Sequence, residues 1–289
     1  MTTDIKNQIT AAINEKIDSL GLSANKIATQ CGVSGATISQ MRNGNWKLIK
    51  DEMWRKVAAG IGYNLNQWMA ASTRNYNTLT KLFNLARTDS MSIGVAHNPG
   101  SGKTFACQQF AAHTPNAYHI NCAEHFTKKM FLEKTAQAMG VPYNGERTRD
   151  ILERIIGRAA TVDRPVFLFD EADKLNDRVL CFFIELYNRL DGKAGFVLLG
   201  APYLRKRIES GASRDKMGFR EIYSRIGKRF VDLDRTTQRD ITSICESNGI
   251  IDPVEVAEVI NEAETADYDL RRVRRVIQVI RKRKEEVLS

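Results

Sequence analysis

The segment HNPGSGKT, residues His97–Thr104, lies between two stretches with clear patterns. The apolar run Met91–Ala96 precedes it and favours a buried strand, and the sequence FACQQFAAH at 105–113 follows it and favours a helix. A strand, a glycine-rich turn and a helix in this order are typical of a P-loop, in which backbone N–H groups and the helix N-terminus hold phosphate oxygens. The segment therefore predicts a phosphate-binding loop.

Two side chains of this loop have defined chemistry. Lys103 is expected to reach the β- and γ-phosphates of a nucleotide, and the hydroxyl of Thr104 to help coordinate Mg²⁺. His97 replaces the glycine that usually opens the motif, and a side chain there is tolerated if the backbone keeps φ below zero. The residues predicted to bind the nucleotide are Asn98, Pro99, Gly100, Ser101, Gly102, Lys103 and Thr104.

An acidic pair, Asp170-Glu171, follows the apolar run Val166–Phe169. The carboxyl edge of a parallel strand is where open α/β sheets place their ligands. Asp170 is expected to hold the Mg²⁺ shell, and Glu171 to orient and activate the attacking water. No NKxD-type motif follows in the sequence, which favours ATP over GTP. The two motifs together predict ATP and Mg²⁺ as cofactors.

Three further positions bear on hydrolysis. Ala201 stands where ATPases of this type usually have a polar residue near the γ-phosphate, which predicts slow hydrolysis. Arg225, in FREIYSRIGKRF (Phe219–Phe230), is expected to stabilise charge in the nucleotide site of a neighbouring subunit. Alternatively, the basic residues of that segment form a solvated surface or contact DNA. Arg271 opens the last helical stretch and is expected to reach back over the nucleotide, unless it belongs to a plain basic helix surface.

Short apolar runs alternate with helical stretches in the middle of the chain, which predicts parallel strands joined by crossover helices. The runs are Met91–Ala96, Ala117–Ile120, Val166–Phe169, Phe196–Leu199 and Phe230–Leu233. The predicted fold class is therefore α/β, a parallel sheet with helices on both faces. An all-helical head and a helical lid flank it, with predicted boundaries at residues 1–71, 72–235 and 236–289.

The head contains a candidate helix-turn-helix at Leu22–Gly44. Ser23 and Ser34 are placed to cap two short helices, and Gly32 permits the left-handed turn between them. Small polar side chains at the start of the second helix can approach base edges or phosphates in a major groove. The predicted DNA contacts there are Ser34, Thr37, Ser39, Gln40 and Arg42. The alternative is a helical bundle that contacts only proteins.

A second candidate DNA path is the loop predicted after the second strand, which contains Lys128 and Lys129. The net charge of +9 supports a polyanionic partner, with nucleic acid the first candidate. No apolar run approaches 18 residues, so no membrane partner is expected, and the N-terminus lacks the features of a signal peptide. The five cysteines lack CxxC spacing, which argues against structural zinc and disulfides and predicts a cytoplasmic protein.

The order of these parts resembles the phage Mu B family of transposition proteins and, more distantly, the AAA+ target selectors of Tn7-like elements. The resemblance rests on the head, NPGSGKT, DEADK (Asp170–Lys174) and SRIGKR (Ser224–Arg229). It implies a five-stranded AAA+ domain with a helical lid. It also implies a nucleotide site formed by Lys103, Thr104, Asp170 and Glu171, with Arg225 as the finger and Arg271 as the second sensor.

By the same resemblance, the protein is expected to assemble with itself on double-stranded DNA as an ATP-dependent helical filament or ring. It would select target DNA and stimulate a DDE transposase. Its hydrolysis of ATP to ADP and phosphate is predicted to be slow and stimulated by DNA. Two other functions stay open at this point: a phage or plasmid replication factor such as a helicase loader, and an ATP-modulated transcriptional regulator.

Overall fold

A computed structural model gives the fold for residues 3–63 and 68–287. The chain divides into two compact units, residues 1–70 with 244–256 and residues 71–243 with 257–289. The three-part domain division expected from the sequence stays a prediction, because compactness alone does not show which parts fold independently. Within the described ranges, no helix is both long enough and apolar enough to cross a membrane.

Four helices lie in the described part of the first 63 residues. They are α1 (Thr3–Leu20), α2 (Ala24–Cys31), α3 (Gly35–Arg42) and α4 (Asp51–Gly60). Apolar side chains at helical spacing meet in one cluster, and Ile13, Ile38 and Trp54 are fully buried in it. Burial of these faces, rather than the intrinsic propensity of such short helices, stabilises the unit.

The turn between α2 and α3 has the predicted capping residues. The side chain of Ser23 accepts a hydrogen bond from the backbone N–H of Lys26, and that of Ser34 accepts one from Thr37. Gly32 ends α2 with φ 62°, a left-handed conformation that glycine adopts without a steric penalty. The two-helix geometry is therefore encoded locally, whereas its predicted DNA-binding role stays a prediction.

The larger unit is built on a five-stranded parallel sheet in the order β2-β3-β4-β1-β5. Its strands are β1 (Ser92–Ala96), β2 (Ala117–Asn121), β3 (Val166–Asp170), β4 (Gly195–Gly200) and β5 (Phe230–Val231). The prediction of a parallel sheet is confirmed. The last strand is shorter than the predicted run, because only Phe230 and Val231 pair with β1.

Helices cover both faces of this sheet. They are α5 (Arg74–Asp89), α6 (Lys103–His113), α7 (Lys128–Ala138), α8 (Thr148–Thr161), α9 (Asp177–Leu180), α10 (Phe183–Leu190), α11 (Pro202–Ser213) and α12 (Phe219–Arg225). One buried cluster joins Phe167, Phe169 and Phe196 to α7, α8 and α10, and another joins Val95 and Leu168 to α5 and α6. Alternate strand residues therefore face different layers, as the twofold repeat of a strand requires.

Three helices complete the described chain: α13 (Gln238–Ser247), α14 (Pro253–Glu264) and α15 (Leu270–Val287). In α15, Val273 and Ile277 are fully buried, and many of the remaining positions are Arg or Lys. The fold class predicted from the sequence is thus confirmed, with helical regions before and after the α/β core along the chain.

Candidate functional site

The segment 97–102 connects the end of β1 to the start of α6 at Lys103. Gly100 and Gly102 have φ values of 79° and 88°, so this turn uses conformations that side chains disfavour. Because the turn follows the last residue of β1 and β1 is parallel to both of its neighbours, the turn and the helix N-terminus are at the carboxyl edge of the sheet. This is the geometry expected of a phosphate-binding loop.

His97 continues the sheet hydrogen bonding at the start of the turn. Its backbone N–H donates to the carbonyl oxygen of Gly200, at 3.1 Å. The φ angle of His97 is not positive, so a side chain at this departure from the usual motif is sterically allowed. Burial, with the nearby charge of Lys103, lowers the pKa of the imidazole, although Asp232 and Asp234 oppose this.

The ammonium of Lys103 lies inside its own loop. Its Nζ donates to the carbonyl oxygens of His97 at 2.7 Å and Asn98 at 2.9 Å, and to Oγ of Ser101 at 3.1 Å. Burial lowers its pKa, which the negative charge of Asp170 partly offsets. The loop is therefore organised around a cation, and a phosphate that enters it would compete for the same ammonium.

Asp170 ends β3 with only 1% of its surface exposed. Its Oδ1 accepts a hydrogen bond from the backbone N–H of Glu171 at 3.0 Å, and its Oδ2 lies 3.3 Å from Nε2 of His119. Both carboxylate oxygens are thus oriented by neighbours. His119 was not found by sequence reasoning, because its partner is 51 residues away and on another strand.

Glu171 follows with φ 54°, a left-handed conformation that is unusual for a side chain larger than glycine. The change of direction begins a short 3₁₀ helix, Ala172–Lys174, which brings Lys174 back to Glu171. The Lys174 ammonium lies 2.5 Å from Oε2 of Glu171. The side chain expected to activate water is therefore engaged by a lysine that the sequence motif had not singled out.

Ala201 lies after β4, and its side chain supplies no polar atom. Its backbone N–H donates to Oδ1 of Asp173, at 3.0 Å. A side chain at Gly200 would also meet that carboxylate oxygen, at 2.5 Å from the added Cβ. This end of β4 is therefore packed against Asp173, and the prediction of slow hydrolysis remains untested.

The start of α15 lies against the phosphate loop. The backbone N–H of Leu270 donates to the carbonyl oxygen of Gly100 at 3.0 Å, and a Cβ on Gly100 would collide with the carboxylate of Asp269. The N–H of Arg271 donates to Oδ1 of Asp269 at 2.7 Å, and the charge of Arg271 contributes to lowering the Lys103 pKa. Arg271 is thus close to the loop, beside an aspartate that sequence reasoning missed.

Arg225 ends α12 in contact with its own chain. Its Nε and Nη2 donate to Oδ1 of Asn188 at 3.1 and 2.6 Å, and its guanidinium lies 5.1 Å from the ring centre of Tyr187. Glu221 is 3.9 Å away. A role in a neighbouring subunit would require Arg225 to exchange these partners.

The predicted DNA contacts of the head have varied surroundings. Gln40 and Ser39 are exposed, whereas Thr37 is half-buried and its hydroxyl lies 2.8 Å from that of Ser34. Nε of Arg42 donates to Oδ1 of Asn14 at 2.7 Å. Thr37 is therefore only partly exposed, because its hydroxyl is held by the capping residue Ser34, and its DNA contact stays a prediction.

Lys128 and Lys129 do not lie in a loop, as the sequence had suggested, but form the first turn of α7. The side chain of Thr127 caps this helix by accepting from the N–H of Met130, and so the helix begins early. Lys128 lies 5.5 Å from the ring centre of Phe182, and Lys129 pairs with Glu133 at 3.9 Å. Both lysines are exposed.

Comparison with protein families agrees with this geometry. Residues 74–208 match the family model of an AAA domain. The match starts with α5, includes the phosphate loop and the Asp170-Glu171 pair, and ends within α11, so Arg225 and Arg271 lie outside it. Comparison with curated proteins finds no match. The chain therefore contains an AAA domain, the domain of a P-loop ATPase, in residues 74–208.

Proposed function

We propose that this protein is an ATP-dependent DNA-binding AAA+ ATPase that assembles on target DNA and activates a DDE transposase. The observation that supports the ATPase most directly is the placement of Lys103 inside a glycine-rich turn at the carboxyl edge of the sheet. The buried carboxylate of Asp170 ends a strand at the same edge. An ammonium group, a helix N-terminus and a carboxylate together are the groups that bind a nucleoside triphosphate with its magnesium ion.

Each residue of the nucleotide site has its own role in this proposal. Lys103 leaves its loop carbonyls to contact the β- and γ-phosphates, while the N–H groups of residues 98–104 hold phosphate oxygens. Glu171 orients and activates the attacking water. Arg271 contributes positive charge from the start of α15, and Arg225 contributes it to the site of a neighbouring subunit. Because Ala201 adds no polar contact, turnover is slow.

The donors at this site fit Mg²⁺. Thr104 offers a hydroxyl and Asp170 a carboxylate, and oxygen ligands of this kind, few in number, are typical of magnesium bound with nucleotide phosphates. Bound there, the ion would neutralise charge on the phosphates. Oδ1 of Asp170 is held by the N–H of Glu171, so the carboxylate is oriented before any ligand arrives.

DNA binding is proposed for the head and for α7. Ser34, Thr37, Ser39, Gln40 and Arg42 are polar and lie on or next to α3. Their short side chains suit phosphate and base-edge contacts in a major groove. Lys128 and Lys129 are exposed at the start of α7 and supply positive charge for the backbone. The net charge of +9 supports binding dominated by phosphates.

The transposition role rests on the resemblance in motif order, and ATP-dependent assembly follows from a linkage argument. If ATP binds an assembled interface better than a free subunit, ATP must stabilise the assembly, and hydrolysis provides the route for disassembly. A helicase loader or motor differs, because its activity requires hydrolysis itself.

Two variants test the proposal in opposite directions. Lys103→Ala is expected to lose ATP affinity and to form no filaments on duplex DNA. Glu171→Gln is expected to bind ATP, fail to hydrolyse it and form filaments that last longer than those of the wild type. Electron microscopy and ATP turnover measure both, and Lys81→Ala, at an exposed position of α5, is the matched control.

Each result has a clear meaning. If Glu171→Gln binds ATP but does not assemble, the proposal that ATP stabilises the assembled state is contradicted, and a helicase loader is favoured. Assembly without stimulation of a transposase encoded beside the gene would contradict the transposition role alone. Footprinting of one specific DNA site without ATP would favour the transcriptional regulator instead.

A further inference from the structure

Three potential metal donors meet beneath the phosphate loop. They are Sγ of Cys107 on α6, a ring nitrogen of His119 on β2 and a carboxylate oxygen of Asp170 on β3, and all three lie within 4.8 Å of one another. Nε2 of His119 and Oδ2 of Asp170 are already 3.3 Å apart. No other such group of three occurs among the residues that the structure describes.

The topology explains why they meet. Cys107 is one helical turn beyond Lys103 and shares its face of α6. His119 pairs with Leu168 in the β2–β3 ladder, and Leu168 and Asp170, two residues apart, point to the same side of the sheet. All three side chains therefore lie in the layer between this face of the sheet and α6. The spacings of the three residues in the sequence do not predict that they meet.

We propose that Cys107, His119 and Asp170 form a binding site for a thiophilic divalent cation of the zinc type, and that its occupation inhibits the ATPase. The binding is independent of the proposed function, whereas the inhibition rests on it. Sulfur, imidazole and carboxylate are the donors that Zn²⁺ takes, and catalytic zinc sites combine three protein ligands with a fourth position open to water or substrate. Mg²⁺ instead requires octahedral oxygen ligands, so this trio discriminates against it.

The distances suit that ion after a small adjustment. With metal–ligand bonds of about 2.0–2.3 Å in a tetrahedron, donor atoms lie roughly 3.3–3.8 Å apart. The His119–Asp170 separation of 3.3 Å already satisfies this, and Cys107 is at most 4.8 Å from the others. Cys107 and Asp170 are buried, whereas 16% of the His119 side chain is exposed. The Cys107 thiol would lose its proton to solvent as the sulfur–metal bond forms.

Inhibition follows from the shared ligand. Asp170 is the carboxylate proposed to hold the magnesium shell, and a carboxylate turned toward His119 and Cys107 is withdrawn from it. The positive charge of Lys103 nearby opposes entry of a second cation, so affinity is set by the soft donors rather than by charge. Removal of the cation by a chelator makes the Asp170 carboxylate available to magnesium again.

Cobalt titration of the nucleotide-free full-length protein tests the site without reference to activity. Co²⁺ bound by a thiolate gives a sulfur-to-metal charge-transfer band, and tetrahedral Co²⁺ gives strong visible absorption. Both absorption signals are expected in the wild type, and both should disappear when Zn²⁺ displaces Co²⁺. Cys107→Ser is expected to lose the charge-transfer band, and Cys245→Ser, which alters another buried cysteine, to keep it.

His119→Gln is the second variant, chosen because it retains a hydrogen-bond donor toward Asp170 and disturbs packing little. It is expected to melt like the wild type and to lose Co²⁺ binding. Absence of the band in the wild type, or its persistence in Cys107→Ser, overturns the site and leaves hydrogen bonding and packing as the role of the trio. Binding without Zn²⁺ inhibition of turnover overturns the inhibitory part, and turnover measured without zinc tests the proposed function separately.

Discussion

The ammonium of Lys174 lies 2.5 Å from Oε2 of Glu171, so the carboxylate expected to activate water is paired within its own loop. The pairing raises the pKa of Lys174, and both side chains remain partly exposed. Glu171 takes a left-handed backbone conformation at the end of β3, and the 3₁₀ turn that follows sets the two side chains together. The resting loop thus holds Glu171 through Lys174, three residues further along the chain.

Lys174→Ala is expected to raise basal ATP turnover, because Glu171 no longer has to leave a partner before it contacts water. An exposed pair contributes about 0.2–1 kcal/mol, which corresponds to an increase of at most about fivefold. Steady-state phosphate release measures it. Lys134→Ala removes an exposed lysine whose Nζ donates to Oε1 of Gln137 at 3.0 Å, and it should leave turnover unchanged. A fall in turnover in Lys174→Ala would show that Lys174 assists the reaction.

Gly100→Ala tests the contact between the phosphate loop and the start of α15. The new Cβ would collide with the Asp269 carboxylate, so nucleotide affinity is expected to fall about tenfold or more, beyond the general cost of an alanine at positive φ. Gly145→Ala is the matched control, since Gly145 has φ 73° with nothing within 4 Å of an added Cβ. Fluorescent-nucleotide titration and melting of both variants separate the collision with Asp269 from the general cost of an alanine at positive φ. Equal losses of nucleotide affinity in the two variants would contradict a specific effect of the Asp269 contact.

Asp240 anchors the start of α13 to α5. Its carboxylate accepts hydrogen bonds from the N–H and hydroxyl of Thr237 and from the N–H of Arg74. Burial alone would raise the pKa of Asp240, but these hydrogen bonds and the charge of Arg74 outweigh it, and the pKa is lowered. The carboxylate form is therefore the one that stabilises the fold.

Asp240→Asn is expected to lower the free energy of unfolding by about 1–3 kcal/mol at neutral pH, because it leaves buried donors unpaired. A depressed folded-state pKa stabilises the protein above the unfolded value, about 3.9, and that contribution is lost as the pH falls through the lower folded value. Denaturant unfolding from pH 7 to pH 3 should show the two proteins converging below about pH 4. Asp163→Asn, at an exposed position, should match the wild type throughout. A difference that persists at low pH would contradict the assignment.

Arg225 and Arg229 offer a paired test of which arginine stabilises charge in the nucleotide site of a neighbouring subunit. Arg225 is held by Asn188 and Tyr187, whereas Arg229 is exposed four residues later in the same basic segment. Arg225→Ala is expected to leave ATP binding nearly unchanged and to lower turnover by up to about 10³-fold, less if basal hydrolysis is already slow. Mixing it with Lys103→Ala should restore part of the activity through one intact interface. If Arg229→Ala alone lowers turnover, the role belongs to Arg229.

Features that depend on neighbours along the chain could be predicted from the amino-acid sequence. The turn at 97–102, the caps at Ser23 and Ser34 and the five apolar runs follow from glycine conformations, side-chain capping and strand periodicity within a few residues. These local rules were enough to predict the parallel sheet and to place Lys103 and Asp170 at its carboxyl edge. They failed at the ends of elements, as at β5 and at Lys128, where pairing or capping decides the boundary.

Contacts between residues that are distant in the sequence could be identified only from the packed fold. The strand order puts His119 beside Asp170, α15 brings Asp269 to Gly100 from 169 positions away, and α12 places Arg225 against Asn188. Such contacts depend on the packing of whole helices and strands, and the free energy of that packing comes from apolar surface buried elsewhere in the core. Residue spacing along the chain does not predict these contacts, because a core can bring together any two positions that share a layer.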